Sequence, residues 1–195
     1  MIINMLKQFN WVDILVVVLF LRILSMGLKT GFLHELFKTL GTVAAIYVSL
    51  HYFSQLTDAC FKAVPGAKEA LPVEFLDFVS FLVLAIAGYC SFVILRIALN
   101  RFLKVEAVDT LNRWGGLAVS VVRALLVSAL VIFGLAISTI GYLKGSAQNS
   151  YLGARLFPVA PSTYSVIWNS LAYRFAVSEK FNAAVSEIES GFIKQ

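Results

Sequence analysis

FVSFLVLAIAGYCSFVILRIAL, residues 78–99, is an apolar run whose one charge, Arg96, comes close to its end. A bilayer core about 30 Å thick takes roughly 20 apolar residues as a helix, because lipid offers no partner to backbone groups left outside one. Three more runs, Val12–Met26, Leu36–Phe53 and Leu117–Tyr142, flank it. Together they predict an all-α polytopic membrane protein with four transmembrane helices over about residues 12–28, 34–53, 77–99 and 116–142, followed by a C-terminal amphipathic helical tail. The expected division is a transmembrane unit over 1–145 and a tail over 146–195.

Composition points the same way. The 195 residues are 59% hydrophobic and 14% charged, with a mean hydropathy of +0.84, far from the soluble average. Four spans and a tail leave no room for a large soluble catalytic domain. The net charge of +5 sits mostly beside the apolar runs, where topology and anionic headgroups explain it without nucleic acid. Asp13 and Arg22 inside the first run, and the spans that follow it, argue against a cleaved signal peptide. Cys60 is expected in a loop and Cys90 in mid-span, at depths unsuited to a disulfide.

The connections carry turn chemistry. Ser25–Gly31 reads SMGLKTG, a tight helical hairpin in which Gly27 and Gly31 give backbone freedom and Thr30 offers an N-cap to the second helix. Ser54–Asp77, with Pro65, Gly66 and Pro72, is the longest internal loop, with one short helix near Asp58–Val64. After the third span come Arg101, Lys104, Glu106 and Asp109. Gly41, Ala45 and Ser49, and then Gly116, Ser120, Ala124 and Ser128, recur every four residues and mark faces where helices approach closely. In the tail, a polar loop over Gly145–Gly153 precedes a helix from Ser162 to Phe175 with Arg174 on its polar side, then a weaker one over Lys180–Ile193. The tail lies in the interface or caps the bundle.

Even span number puts both termini on one side. Connections one and three carry or abut Arg22, Lys29, Lys38, Arg96, Arg101, Lys104, Arg113 and Arg123; the other side has Lys7, Lys62, Lys68 and Lys144. The positive-inside rule then makes the hairpin side cytoplasmic and both termini periplasmic.

Charges within the apolar runs need partners. Arg123 lies deep enough to be costly alone, and Glu35, in the same half, is its candidate counter-ion, shared with Arg22 or Arg113; Asp13 and Asp77 lie toward the opposite face. His34 and His51 have no neighbours at metal-ligand spacing, and no phosphate loop, zinc-protease signature or serine elbow occurs. The expectation is a non-enzyme without cofactor or metal.

Trp11-Val-Asp13, then Gly27-Leu-Lys-Thr-Gly31-Phe32-Leu-His-Glu35-Leu36, then Leu111-Asn-Arg113-Trp-Gly-Gly116 followed by Arg123, resemble the bacterial colicin V production (CvpA) family over about residues 10–145. Asn112 stands where that family commonly has Asp, removing one partner for Arg113; Ser120 and Ala124 replace common glycines. The resemblance implies an inner-membrane accessory factor in colicin V (toxin) production or export and envelope homeostasis, without established catalytic residues. Asp13, Arg22, Gly27, Gly31, Glu35, Arg113, Gly116 and Arg123 are its candidate motif residues. Expected partners are the lipid bilayer and either a second copy, as an oligomeric channel or transporter subunit, or an exporter or envelope enzyme for which the protein is a scaffold.

Overall fold

A computed structural model describes residues 10–64, 67–100, 109–172 and 179–193. Lys7, Pro65, Gly66, Arg101, Lys104, Glu106, Arg174 and Phe175, which entered the sequence reading, lie outside the described residues. The helices are α1 (Trp11–Thr30), α2 (Phe32–Ala63), α3 (Ala67–Ala70), α4 (Val73–Asn100), α5 (Asp109–Ile137), α6 (Gly141–Gln148), α7 (Tyr151–Leu156), α8 (Val159–Ile167) and α9 (Ala183–Ile193), with a π-helical turn, Trp168–Ala172, extending α8.

Three of these, Trp11–Thr30, Val73–Ala98 and Asn112–Ile137, are long and apolar enough to cross a membrane. The second helix is not among them. It has the length, but Thr39, Thr42, Ser49, His51 and Thr57 are all buried in it, and these polar residues lower its hydropathy while facing protein. It also runs unbroken to Ala63, through what the prolines and polar residues after Ser54 suggested was loop and a separate Asp58–Val64 helix. Cys60 is accordingly helical and, like Cys90, a free thiol.

The packing order is not the chain order. One residue, Gly31, joins α1 to α2, yet the two helices barely touch: α1 packs on α5, α5 on α2, and α2 most extensively on α4. The expected tight hairpin is therefore a sharp corner with α5 against its inside. Gly31 makes that corner at φ 79°, a left-handed conformation that glycine adopts without a Cβ penalty. It is also the N-cap of α2 and, as glycine, brings no capping side chain of its own; Thr30 turns its hydroxyl to Glu35.

Small residues set the helix spacings. A Cβ on Gly88 of α4 would come within 2.9 Å of the Ala45 Cα on α2, so that pair packs backbone to backbone. In α5, Gly116, Ser120, Ala124 and Ser128 are all buried. At the far end of the bundle the core becomes aromatic, Phe81, Phe133, Phe157 and Phe192 running in series with centroid spacings of 5.6, 5.6 and 3.8 Å. Two of the four come from the tail.

The tail is a cap of short helices packed on the bundle. Helices α6 and α7 occupy the expected Gly145–Gly153 loop, and α5 stops at Ile137 rather than Tyr142. Pro161 lies within the first turns of α8, whose N-cap is Pro158; the early turns need no amide donor, so proline is tolerated there. Tyr164 and Trp168 face the core instead of an interface.

Candidate functional site

The end of the bundle where α1 meets α2 is built around missing side chains. A Cβ on Gly27 would stand 2.5 Å from the Ser120 Cβ, and one on Gly116 would stand 2.7 Å from the Gly27 carbonyl oxygen and 2.9 Å from the Gly31 carbonyl carbon. Helices α1 and α5 thus cross at backbone contact. Asn112, in the first turns of α5, seals the corner: its Oδ1 accepts the Phe32 amide at 2.7 Å, a bond that Asp at this position would also accept.

Against this corner lies a buried charge cluster. Glu35 is fully buried and Arg123 only 5% exposed, and Arg123 Nη2 stands 3.0 Å from Glu35 Oε2. Lys38 Nζ donates to Glu35 Oε1 at 2.8 Å, and the Thr30 hydroxyl lies between that same oxygen and the Met26 carbonyl. The Glu35 amide donates back to the Gly31 carbonyl at 3.1 Å. One carboxylate therefore joins the end of α1, the start of α2 and the middle of α5. Removing one partner of such a buried pair leaves a desolvated charge and costs about 3–5 kcal/mol.

The other two arginines stay out of this cluster. Arg113 is exposed and makes no ion pair among the described residues. Arg22 is also exposed and makes none, but it lines the same groove as Arg123.

Asp13 works at the opposite end. It is fully buried and forms a reciprocal cap with Asn10: Val12 donates its amide to Asn10 Oδ1 at 2.8 Å, and Asn10 its amide to Asp13 Oδ2 at 2.8 Å. Asp13 Oδ1 accepts from the Ser150 hydroxyl and the Leu152 amide, each at 2.7 Å, while Ser150 Oγ caps Gly153 of α7. Asp13 is thus a pin between α1 and the tail, satisfied on both oxygens.

Sequence reading missed a third polar group. His51, fully buried, has Nδ1 2.8 Å from the Tyr164 hydroxyl and Nε2 2.9 Å from Glu179 Oε2. Tyr52 donates to Glu179 at 2.9 Å, and Asn182 donates its amide to the Tyr164 oxygen at 3.0 Å and its Nδ2 to the Leu50 carbonyl at 2.8 Å. Burial pushes the Tyr164 phenol up to about 12, so it keeps its proton. Its oxygen accepts from Asn182 and also faces His51 Nδ1, while His51 Nε2 faces the Glu179 carboxylate, so the two ring nitrogens join Tyr164 and Glu179, with donor and acceptor roles set by the tautomer. His51 and its partners are 113 and 128 residues apart, and no local spacing announces them.

The sequence matches the model of a family described as colicin V production protein over residues 12–163. The match reaches into α8, beyond the span of about residues 10–145 over which the motifs resemble the family, and so takes in Ser150, the tail partner of Asp13. No curated protein and no solved structure matches the chain.

Proposed function

The chain belongs to the colicin V production protein family, and from that membership we propose a multi-pass inner-membrane accessory protein for production or export of colicin V, with a share in envelope homeostasis. The family match carries the reading. In it the protein catalyses no reaction, and its partners are the bilayer and an export or envelope protein. Helix α2 is the fourth span, its polar residues turned to α4, α5 and the tail rather than to lipid.

Charge supports an orientation. The end of α1, the start of α2 and the first turns of α5 meet around Gly31, and Lys38 and Arg96 line one crevice between α2 and α4. Arg22, Lys29, Lys38, Arg96 and Arg113 therefore gather at one end, which the positive-inside rule makes cytoplasmic. The N-terminus of α1 and the tail then face the periplasm.

The test is complementation in a colicin V-producing host whose own family member has been deleted. Restored secreted toxin activity is expected. Full membrane insertion of this chain with toxin output still at the deletion level overturns the reading. For orientation, alkaline phosphatase fused after Gln195 is expected to be active; an inactive fusion with a fluorescent C-terminal green fluorescent protein reverses the topology.

A further inference from the structure

The packing order leaves α1 and α4 on the same side of the α2/α5 pair without closing over it. Between them runs a groove of about 450 Å³, within the roughly 300–1,000 Å³ range of small-molecule sites. Its walls are apolar, with Leu19 and Met26 on α1 and Ile86 on α4, and its floor is Thr42, Ala45, Val127 and Leu130. Two arginines also line it: Arg123, whose Nη2 stands 3.0 Å from Glu35 Oε2 while its buried Nε has no hydrogen-bond acceptor among the described residues, and Arg22, which is exposed.

We propose that this groove is a site for an anionic phospholipid of the leaflet on the α1–α2 corner side, one acyl chain lying along the apolar walls and the phosphate held by Arg22. Two features favour this occupant over a neutral lipid or a second copy of the chain. The first is charge: Arg22 and Arg123 both line the groove, and of the two only Arg123 is paired with a carboxylate among the described residues, that of Glu35, so the groove carries excess positive charge. The second is shape. The cleft is an open groove lined mostly by aliphatic side chains with the two arginines set among them, which suits an amphiphile with an apolar tail and an anionic head. Arg22 lies five residues before Gly27 on α1, at a depth from which a long stem reaches the headgroup layer.

The site does not depend on the toxin reading, only on the chain being embedded in a bilayer. The test uses the full chain in nanodiscs of equal parts phosphatidylcholine and phosphatidylglycerol, released into native mass spectrometry, which reports which lipids stay bound. Wild type is expected to retain phosphatidylglycerol over phosphatidylcholine by about five-fold, the preference that one well-placed arginine supplies near a membrane surface. Arg22→Gln, an exposed change that leaves the core intact, is expected to bring the ratio to near parity. Lys29→Gln, on the same end but outside the groove, is expected to leave it unchanged. Ala85→Trp, or the smaller filler Ala85→Leu where Trp disturbs folding, is expected to reduce retention of both lipids. Parity in wild type, an unchanged ratio in Arg22→Gln, or an equal fall in Lys29→Gln each overturns the site, the last because it shows diffuse surface attraction. A wild-type dimer that Ala85→Trp dissociates also overturns it, assigning the groove to a second copy.

Discussion

At the scale of single residues, Glu35 is the position on which most depends, because its two oxygens serve three elements. Glu35→Gln and Arg123→Leu are each expected to lower unfolding free energy in micelles by about 3 kcal/mol, and the double variant by clearly less than the sum, read in denaturant titrations. Additive losses would mean that the two side chains do not act as a pair. Tyr164 gives a pH signature. Its phenol titrates near 10 when unfolded and about 12 when folded, so the unfolded chain releases the proton first and stability falls as pH rises from 10 toward 12. Thermal unfolding across that range should show the fall in wild type and a smaller one in Tyr164→Phe. The Glu35 and Arg123 pairing partners were legible because both are ionisable residues stranded in apolar sequence on the same half. His51 was not, since a histidine among tyrosines in a helix reads as ordinary interior, and its hydrogen-bonding partners lie in the tail.

At the scale of elements, glycines decide where helices cross. Gly116→Ala points a methyl at the Gly27 carbonyl, and parting α1 from α5 to admit it is expected to cost about 1–3 kcal/mol, with Ala118→Gly as a control that changes α5 propensity without entering the crossing. Asp13→Ala removes a helix cap and two bonds to the tail; it should cost about 1–3 kcal/mol and speed hydrogen exchange at the Leu152 amide more than at Ile132, deep in α5. The four-residue stripes were readable as contact faces because close approach needs small side chains at that period. Helix ends were not: α2 carries Gln55, Asp58 and Lys62 through its last turns, polar residues that resemble a loop in sequence but are accommodated on a helix whose other side holds Phe53, Thr57 and Phe61 in the interior. Helices α6 and α7 escaped because both are short and broken by glycine, GYLKGSAQ and YLGARL, too brief for a helical period to show.

At the scale of the molecule, apolar run length conveyed the all-helical membrane class, whereas neighbour order did not follow from it. Nothing in the corner sequence states that α5 will lie where α2 was expected. The tail belongs to the same interior, since Phe157 and Phe192 complete the aromatic series begun by Phe81 and Phe133. Truncation after Lys144 is therefore expected to expose Phe133 and His51 and to abolish the monodisperse folded species in size-exclusion chromatography; a truncated chain that runs as wild type would show the tail to be dispensable for the fold.

The corner at Gly31 has a consequence in time. A ribosome delivers α1 and α2 together, but the surface that α1 packs on belongs to α5, which appears roughly 10 s later at about 5–20 residues per second. Until then α1 lacks its main packing surface, and the Glu35 carboxylate enters the nascent bundle with Lys38 beside it and Arg123 not yet made. Birth order and docking order thus differ, and α5, arriving last of the long helices, closes the assembly by bringing the backbone contact at Gly116 and the guanidinium of Arg123 in one movement.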